Sequence, residues 1–175
     1  MYMEPINEIV QMMDNDTMSH CVGTRNMAQM VEEEYGLKHD LLSKSASIHD
    51  VGKIYITKRI LEKPESLSSI EKKIVDLHSY ISYCVAKEYG VEEQICRVIL
   101  YHHSDCPMAL GEIPPCDKLT EEYAKYLYSI DAYQAMISKR PYRPGHSPKE
   151  ALEIMENEKN HSPLIIEFIK KHYVF

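Results

Sequence analysis

The sequence predicts an all-α fold, and three observations carry that expectation. Apolar residues recur with helical spacing along most of the chain, and no convincing run alternates as a strand would. Gly36, Gly52, Gly90 and the prolines 141, 144 and 148 punctuate it at helix-length intervals. The composition, 44% apolar with no Trp, two Phe and thirteen Tyr, is that of an ordinary globular chain rather than a disordered one. At 175 residues one substantial core is expected and two are not, so residues 1–175 are read as a single compact helical bundle. Its core spans about 17–143, and C-terminal helices follow at about 148–172.

Element by element, a short leader from Glu4 to Met13 precedes Asp14-Asn15-Asp16-Thr17, a cluster able to cap a helix that runs to about Tyr35 and stops at Gly36. A second helix is expected over Asp40 to Asp50, ended by Gly52, and a brief one around Lys58 to Leu61 before Pro64. Leu67-Ser68 opens one long helix to about Tyr89, closed by Gly90. Glu92 to His103 follows. Residues Ser104 to Asp117, with Pro107, Gly111, Pro114 and Pro115, read as a loop. Helices over Leu119 to about Ser138, Lys149 to Asn157 and Pro163 to Lys171 complete the chain.

The net charge of −7 argues against a polymeric nucleic-acid partner, because phosphate backbones demand basic surface. An anionic ligand would have to be held locally, by metal ions or a few placed Lys and Arg side chains. Cys21, Cys84, Cys96, Cys106 and Cys116 are odd in number and contain no CxxC pair. With no signal peptide and no apolar run near membrane-spanning length, they read as free thiols in a reducing cytoplasm, with no membrane association.

The chemistry lies in polar residues on apolar faces. Leu42, Ala46, His49 and Asp50 share one helix face. So do His20, Thr24, Met27 and Val31; Ile70, Ile74, His78, Ile81 and Val85; Ile95, Val98, Ile99, His102 and His103; and Ala124, Leu127, Asp131 and Ala135. One such histidine is ordinarily a hydrogen-bonded core residue, and one such aspartate can cap a neighbouring helix. Coincidence across five helices is harder to accept. A buried carboxylate must be paired, hydrogen-bonded or metal-bound. The remaining histidines, His39, His146, His161 and His172, fall in caps, loops or polar surroundings.

Five imidazoles and two carboxylates can form two adjacent octahedral-type sites if one carboxylate bridges, and Asp50 is the best bridge. Such donors suit Fe, Mn, Co, Ni or Zn better than Ca, and the lack of thiolates disfavours a structural zinc. Paired divalent ions about 3.5–4 Å apart recur in phosphate-ester hydrolysis, where hydroxide generated at the metals attacks phosphorus.

Read in order, these residues resemble the HD superfamily of metal-dependent phosphohydrolases, and most closely its HD-GYP branch of cyclic-di-GMP phosphodiesterases. The matching stretches are His20, Ala46 to Lys53 with its His49-Asp50-Val51-Gly52-Lys53 signature, Ile60 to Pro64 with Leu67, His78, His102-His103, Ile130 to Tyr133, and Ser138 to Arg143. The resemblance implies metal binding by His20, His49, Asp50, His78, His102, His103 and Asp131. Lys53 would lie near the bridging water and the substrate phosphate, and Arg140 and Arg143 would form an anion clamp in a chain that is acidic overall. Asp16, four positions before the first histidine, matches the place of an acidic residue that helps hold a third metal in some members; an N-cap explains it equally well.

The Gly-Tyr-Pro triplet expected after the double histidine is absent, and Gly111-Glu112-Ile113-Pro114 resembles the family segment that follows it. The receiver or sensor modules that usually accompany the branch are not in this sequence either. The expected activity is therefore hydrolysis of a phosphodiester or phosphomonoester in a nucleotide-like small molecule, a cyclic dinucleotide among them. The alternative is a non-catalytic regulator that binds a cyclic dinucleotide or a protein. An oxygenase on a related scaffold is a third reading, disfavoured by Lys53 and the two arginines.

Overall fold

The computed structural model describes residues 4–38, 40–103, 107, 109–138 and 144–174, and among them only helices, turns and loops occur. The segment read as a leader forms α1 (Pro5–Met12), with proline in its first turn and Ile9 buried. Asp14 caps α2 (Asn15–Tyr35), its carboxylate accepting from the backbone N–H of Asp16 at 3.1 Å and of Thr17 at 3.0 Å. Gly36 closes α2 at φ 60°, a left-handed turn that suits glycine.

α3 (Leu41–Ile48) is the centre of the molecule, buried at every position except Lys44. Its small residues, Ser43, Ser45, Ala46 and Ser47, let α2, α7 and α8 approach it from several sides. Asp40 precedes it at φ 60° with no capping bond from its own side chain. Glu32 of α2 supplies the cap instead, its buried carboxylate accepting from Leu42 N–H at 2.7 Å and Ser43 N–H at 3.2 Å.

After α3 the chain tightens into a 3₁₀ turn (Val51–Tyr55) and a short α4 (Lys58–Leu61). The single long helix expected over Leu67 to Tyr89 is two. α5 (Ser69–Asp76) begins at a Ser68–Glu71 capping box, and α6 (His78–Glu88) starts anew after a bend at Leu77. As a result the apolar stripe does not run inward over its whole length. Ile70 is 69% exposed and Ile74 36%, while His78 is buried.

α7 (Glu93–Tyr101) and α8 (Lys118–Ile137) flank α3, joined by a connection in which Tyr101 Oη donates to the Pro114 carbonyl at 2.6 Å. α9 (Pro148–Asn157) and α10 (Pro163–Tyr173) form a hairpin whose Ala151, Met155, Ile165 and Phe168 are buried with α8. Glu34 of α2 ties down the end of α10 through Lys171 at 2.9 Å and His172 at 2.6 Å.

Candidate metal centre

Helix ends and bends build the site. His49 is the C-cap of α3 and Asp50 the residue that opens the 3₁₀ turn, so the chain changes direction there and aims both side chains at one point. His78 is the first residue of α6, set there by the bend at Leu77. His102 follows the last turn of α7, and His103 comes next. His20 lies within α2 and Asp131 within α8.

The seven residues gather into two abutting clusters. His20, His49, Asp50 and Asp131 form one, and His78, His102 and His103 the other. Within each, one ligand atom from every residue lies inside 4.8 Å of the rest. Asp50 faces both. Its Oδ2 is 3.6 Å from His49 Nε2 and 3.7 Å from His20 Nε2, and its Oδ1 is 3.3 Å from His78 Nε2. Asp131 Oδ1 lies 2.6 Å from His20 Nε2 and 3.6 Å from His49 Nε2, and its Oδ2 lies 3.9 Å from His103 Nε2.

Three imidazoles share one device. The Nδ1–H of His49 donates to the Ala46 carbonyl at 2.9 Å, that of His78 to Val75 at 2.6 Å, and that of His102 to Ile99 at 2.6 Å. Each bond reaches back three residues, fixes the ring, and leaves Nε2 aimed at the centre. Those three Nε2 atoms and Asp50 Oδ1 are buried without a hydrogen-bond partner. Orphaned polar atoms are costly in a folded core and are ordinarily satisfied by something. Imidazole and carboxylate donors that are pre-oriented, dry and convergent fit divalent transition-metal ions.

The two clusters differ electrostatically. Burial opposes charge on His49, but Asp50 and its other neighbours overcome it and raise its pKa well above the ordinary value. Burial would raise Asp50 and Asp131; Lys53, His49 and His78 around the first, and the His20 hydrogen bond with His49 close by at the second, hold both well below the carboxylate range. In the other cluster burial wins outright. It pushes His78 down to about 4 and lowers His102 and His103 as well.

Lys53 Nζ contacts Asp50 Oδ2 at 2.5 Å while its side chain stays 27% exposed, which places a cation at the rim of the centre. Burial disfavours that charge, but Asp50 outweighs it and raises the lysine pKa. Arg140 and Arg143 lie outside the described residues. Asp16 is exposed in the first turn of α2, outside both clusters, and the cap of that helix is Asp14.

Sequence reasoning missed two contributors. Gly52 N–H donates to the buried Ser82 Oγ at 2.8 Å, and a Cβ at Gly52 would meet the His78 carbonyl at 2.2 Å. This bare contact sets how closely Asp50 approaches His78. Ser82 lies one turn beyond His78, a helical spacing that could have flagged it. Cys21, buried 3.7 Å from His49 Nδ1, closes the other side of that ring. Cys21, Cys84 and Cys96 are free thiols, as expected, and Cys106 lies outside the described residues.

A helical domain that brings seven such side chains into two adjoining, largely buried clusters has the make-up of histidine- and aspartate-built metal-binding domains. The HD domain profile matches residues 17–136, a span that contains every one of them, and the chain belongs to that family. It is 28% identical over 182 residues to a cyclic di-GMP phosphodiesterase of Thermotoga maritima, covering 97% of this chain and 48% of the relative. It is 26% identical over 155 residues to a 3'3'-cGAMP-specific phosphodiesterase of Vibrio cholerae, covering 81% and 34%. It is also 26% identical over 138 residues to ribonuclease Y of Petrotoga mobilis, covering 79% and 20%. The chain therefore spans less than half the length of each. Among the described residues no helix is long and apolar enough to cross a membrane.

Proposed function

We propose that the protein is a metal-dependent phosphohydrolase that cleaves a phosphodiester of a cyclic dinucleotide or a closely related small nucleotide. The observation that carries this reading is the Asp50 carboxylate, with one oxygen turned to each cluster. His20, His49 and Asp131 would hold one divalent ion, His78, His102 and His103 the other, and Asp50 both. Bound there, such ions would polarise a phosphoryl group and acidify water.

The protein's own groups supply the rest. The three backbone-clamped imidazoles are pre-oriented, so little reorganisation is needed when an ion binds. Lys53 neutralises Asp50 and, partly exposed at the rim, is placed to donate to a substrate phosphate oxygen. Arg140 and Arg143 are proposed as an anion clamp for the substrate. The cyclic-dinucleotide class rests on the names of the relatives from Thermotoga maritima and Vibrio cholerae. The ribonuclease Y match shows that family likeness alone does not fix substrate size.

The test is product analysis. Metal-reconstituted protein is offered cyclic di-GMP, 3'3'-cGAMP, linear dinucleotides, mononucleotides and a short RNA, beside Asp50→Ala. Cleavage of a cyclic dinucleotide that vanishes in Asp50→Ala is the expected result. Preferential cleavage of RNA or of monoesters overturns the substrate class. The absent Gly-Tyr-Pro triplet favours a second reading, binding without turnover, and tight binding of an intact cyclic dinucleotide would establish it instead.

A further inference from the structure

His103 is the least supported of the five imidazoles. Three have a backbone clamp, and His20 is pinned by Asp131 at 2.6 Å. His103 has neither. Its side chain is 33% exposed, its contact with Asp131 is a long 3.9 Å, and among the described residues no hydrogen bond orients its ring. Rings surround it instead: His102 at 3.9 Å between centroids, His78 at 4.9 Å, and Tyr128 edge-on at 6.1 Å and 87°. Two of those are themselves in the His103 cluster, which leaves Tyr128 as the outside support.

Tyr128 sits on α8 one turn before Asp131, and the turn between α9 and α10 holds it firmly. His161 stacks on its ring at 5.0 Å and 16°, and Asn160 Nδ2 donates to its Oη at 2.8 Å. Ser162 N–H donates to Ser129 Oγ at 2.8 Å, docking the same turn on the next residue of α8. His161, read from sequence as a polar loop residue, is buried; one ring nitrogen faces Glu158 at 3.1 Å and the other, Nδ1, has no partner. An imidazole left half-satisfied in the interior is explained by the flat surface it gives Tyr128, not by its own hydrogen bonding.

We propose that Tyr128 and His161 are positioning residues for the metal centre: the α9–α10 turn acts through the Tyr128 ring to hold His103 in its ligating orientation. The turn lies beyond residues 17–136, the span matched by the family profile. The proposal rests on the two-metal reading above.

The experiment measures metal rather than turnover. Full-length wild type, Tyr128→Leu, His161→Leu and His161→Phe are loaded with Mn or Zn, and the two equivalents are titrated off with a graded chelator. In Tyr128→Leu and His161→Leu one equivalent should weaken about 10-fold or more, as losses of outer supporting contacts do, while the other is unchanged. His161→Phe, which keeps the flat ring, should restore wild-type affinity. Both equivalents weakening together, the mark of a merely structural role, overturns the proposal. So do unchanged affinities in both Leu variants. Wild-type protein that holds fewer than two equivalents overturns the two-metal reading itself, and this proposal with it.

Discussion

The two halves of the centre share Asp50 but are prepared for a cation in different ways. The half built from His20, His49, Asp50 and Asp131 carries two carboxylates and balances them internally. His49 is driven toward its charged form, His20 hydrogen-bonds Asp131, and Lys53 closes on Asp50. An ion bound there would take the place of the His49 proton and of the Lys53 charge beside Asp50. The half built from His78, His102 and His103 contains no carboxylate of its own; burial disfavours charge on its imidazoles, and Nε2 of His78 and of His102 has no hydrogen-bond partner. The lesson is general: a polar cluster can be made tolerable in a core by internal pairing or by suppressed charge, and only the second leaves it vacant for a ligand at no proton cost.

The sharpest way to break this comparison is to remove what the halves share. Asp50→Ala should cost both equivalents, each weakened by more than about 100-fold, since losses of mere supporting contacts already reach that range. Equilibrium dialysis with elemental analysis reads the result; retention of one tight equivalent would show that the carboxylate is not common to the two. Gly52→Ala pushes a methyl group into the His78 carbonyl and forces the 3₁₀ turn away from α6. Overpacking of this kind costs about 3 kcal/mol, seen as a lowered melting temperature. Ser82→Ala is milder, about 1–2 kcal/mol, because it leaves the buried Gly52 N–H without its acceptor.

Acidity separates the halves without a mutation. In the metal-free protein His78 titrates near 4 rather than 6.5, so as pH falls the unfolded chain takes up the proton first. Its contribution to stability is complete above 6.5 and is lost as pH falls from 6.5 through 4, and the lowered His102 and His103 act in the same direction. His49, raised by its carboxylates, has the opposite sign: its contribution is present below 6.5 and is lost as pH rises through its folded value. With three imidazoles against one, the melting temperature of metal-free protein should drop between pH 7 and pH 5. A flat or rising profile would mean that the His49 half dominates.

What the chain disclosed in advance depended on whether a residue broke its local pattern. His49, Asp50, His78, His102 and Asp131 interrupt apolar stripes, so both their burial and their convergence could be anticipated. α2 and α8 carried ordinary side-chain caps and fell close to their expected bounds, as did α3 although its cap comes from Glu32. The bend at Leu77 had no such mark, because nothing in Val75-Asp76-Leu77-His78 forbids a continuous helix; tertiary placement of His78 overrides local preference there. Glu32 was hidden among Glu33 and Glu34, and only the docked end of α3 distinguishes the buried one. His161 looked polar because Ser162-Pro163 follows it, yet those residues open α10 and turn the imidazole inward.

The account stands on two cations sharing one carboxylate, and anomalous diffraction from crystals of metal-reconstituted protein reads that directly. Two peaks about 3.5–4 Å apart are predicted, one among His20, His49 and Asp131, the other among His78, His102 and His103, with Asp50 between them. A single peak, or peaks away from these side chains, would contradict it.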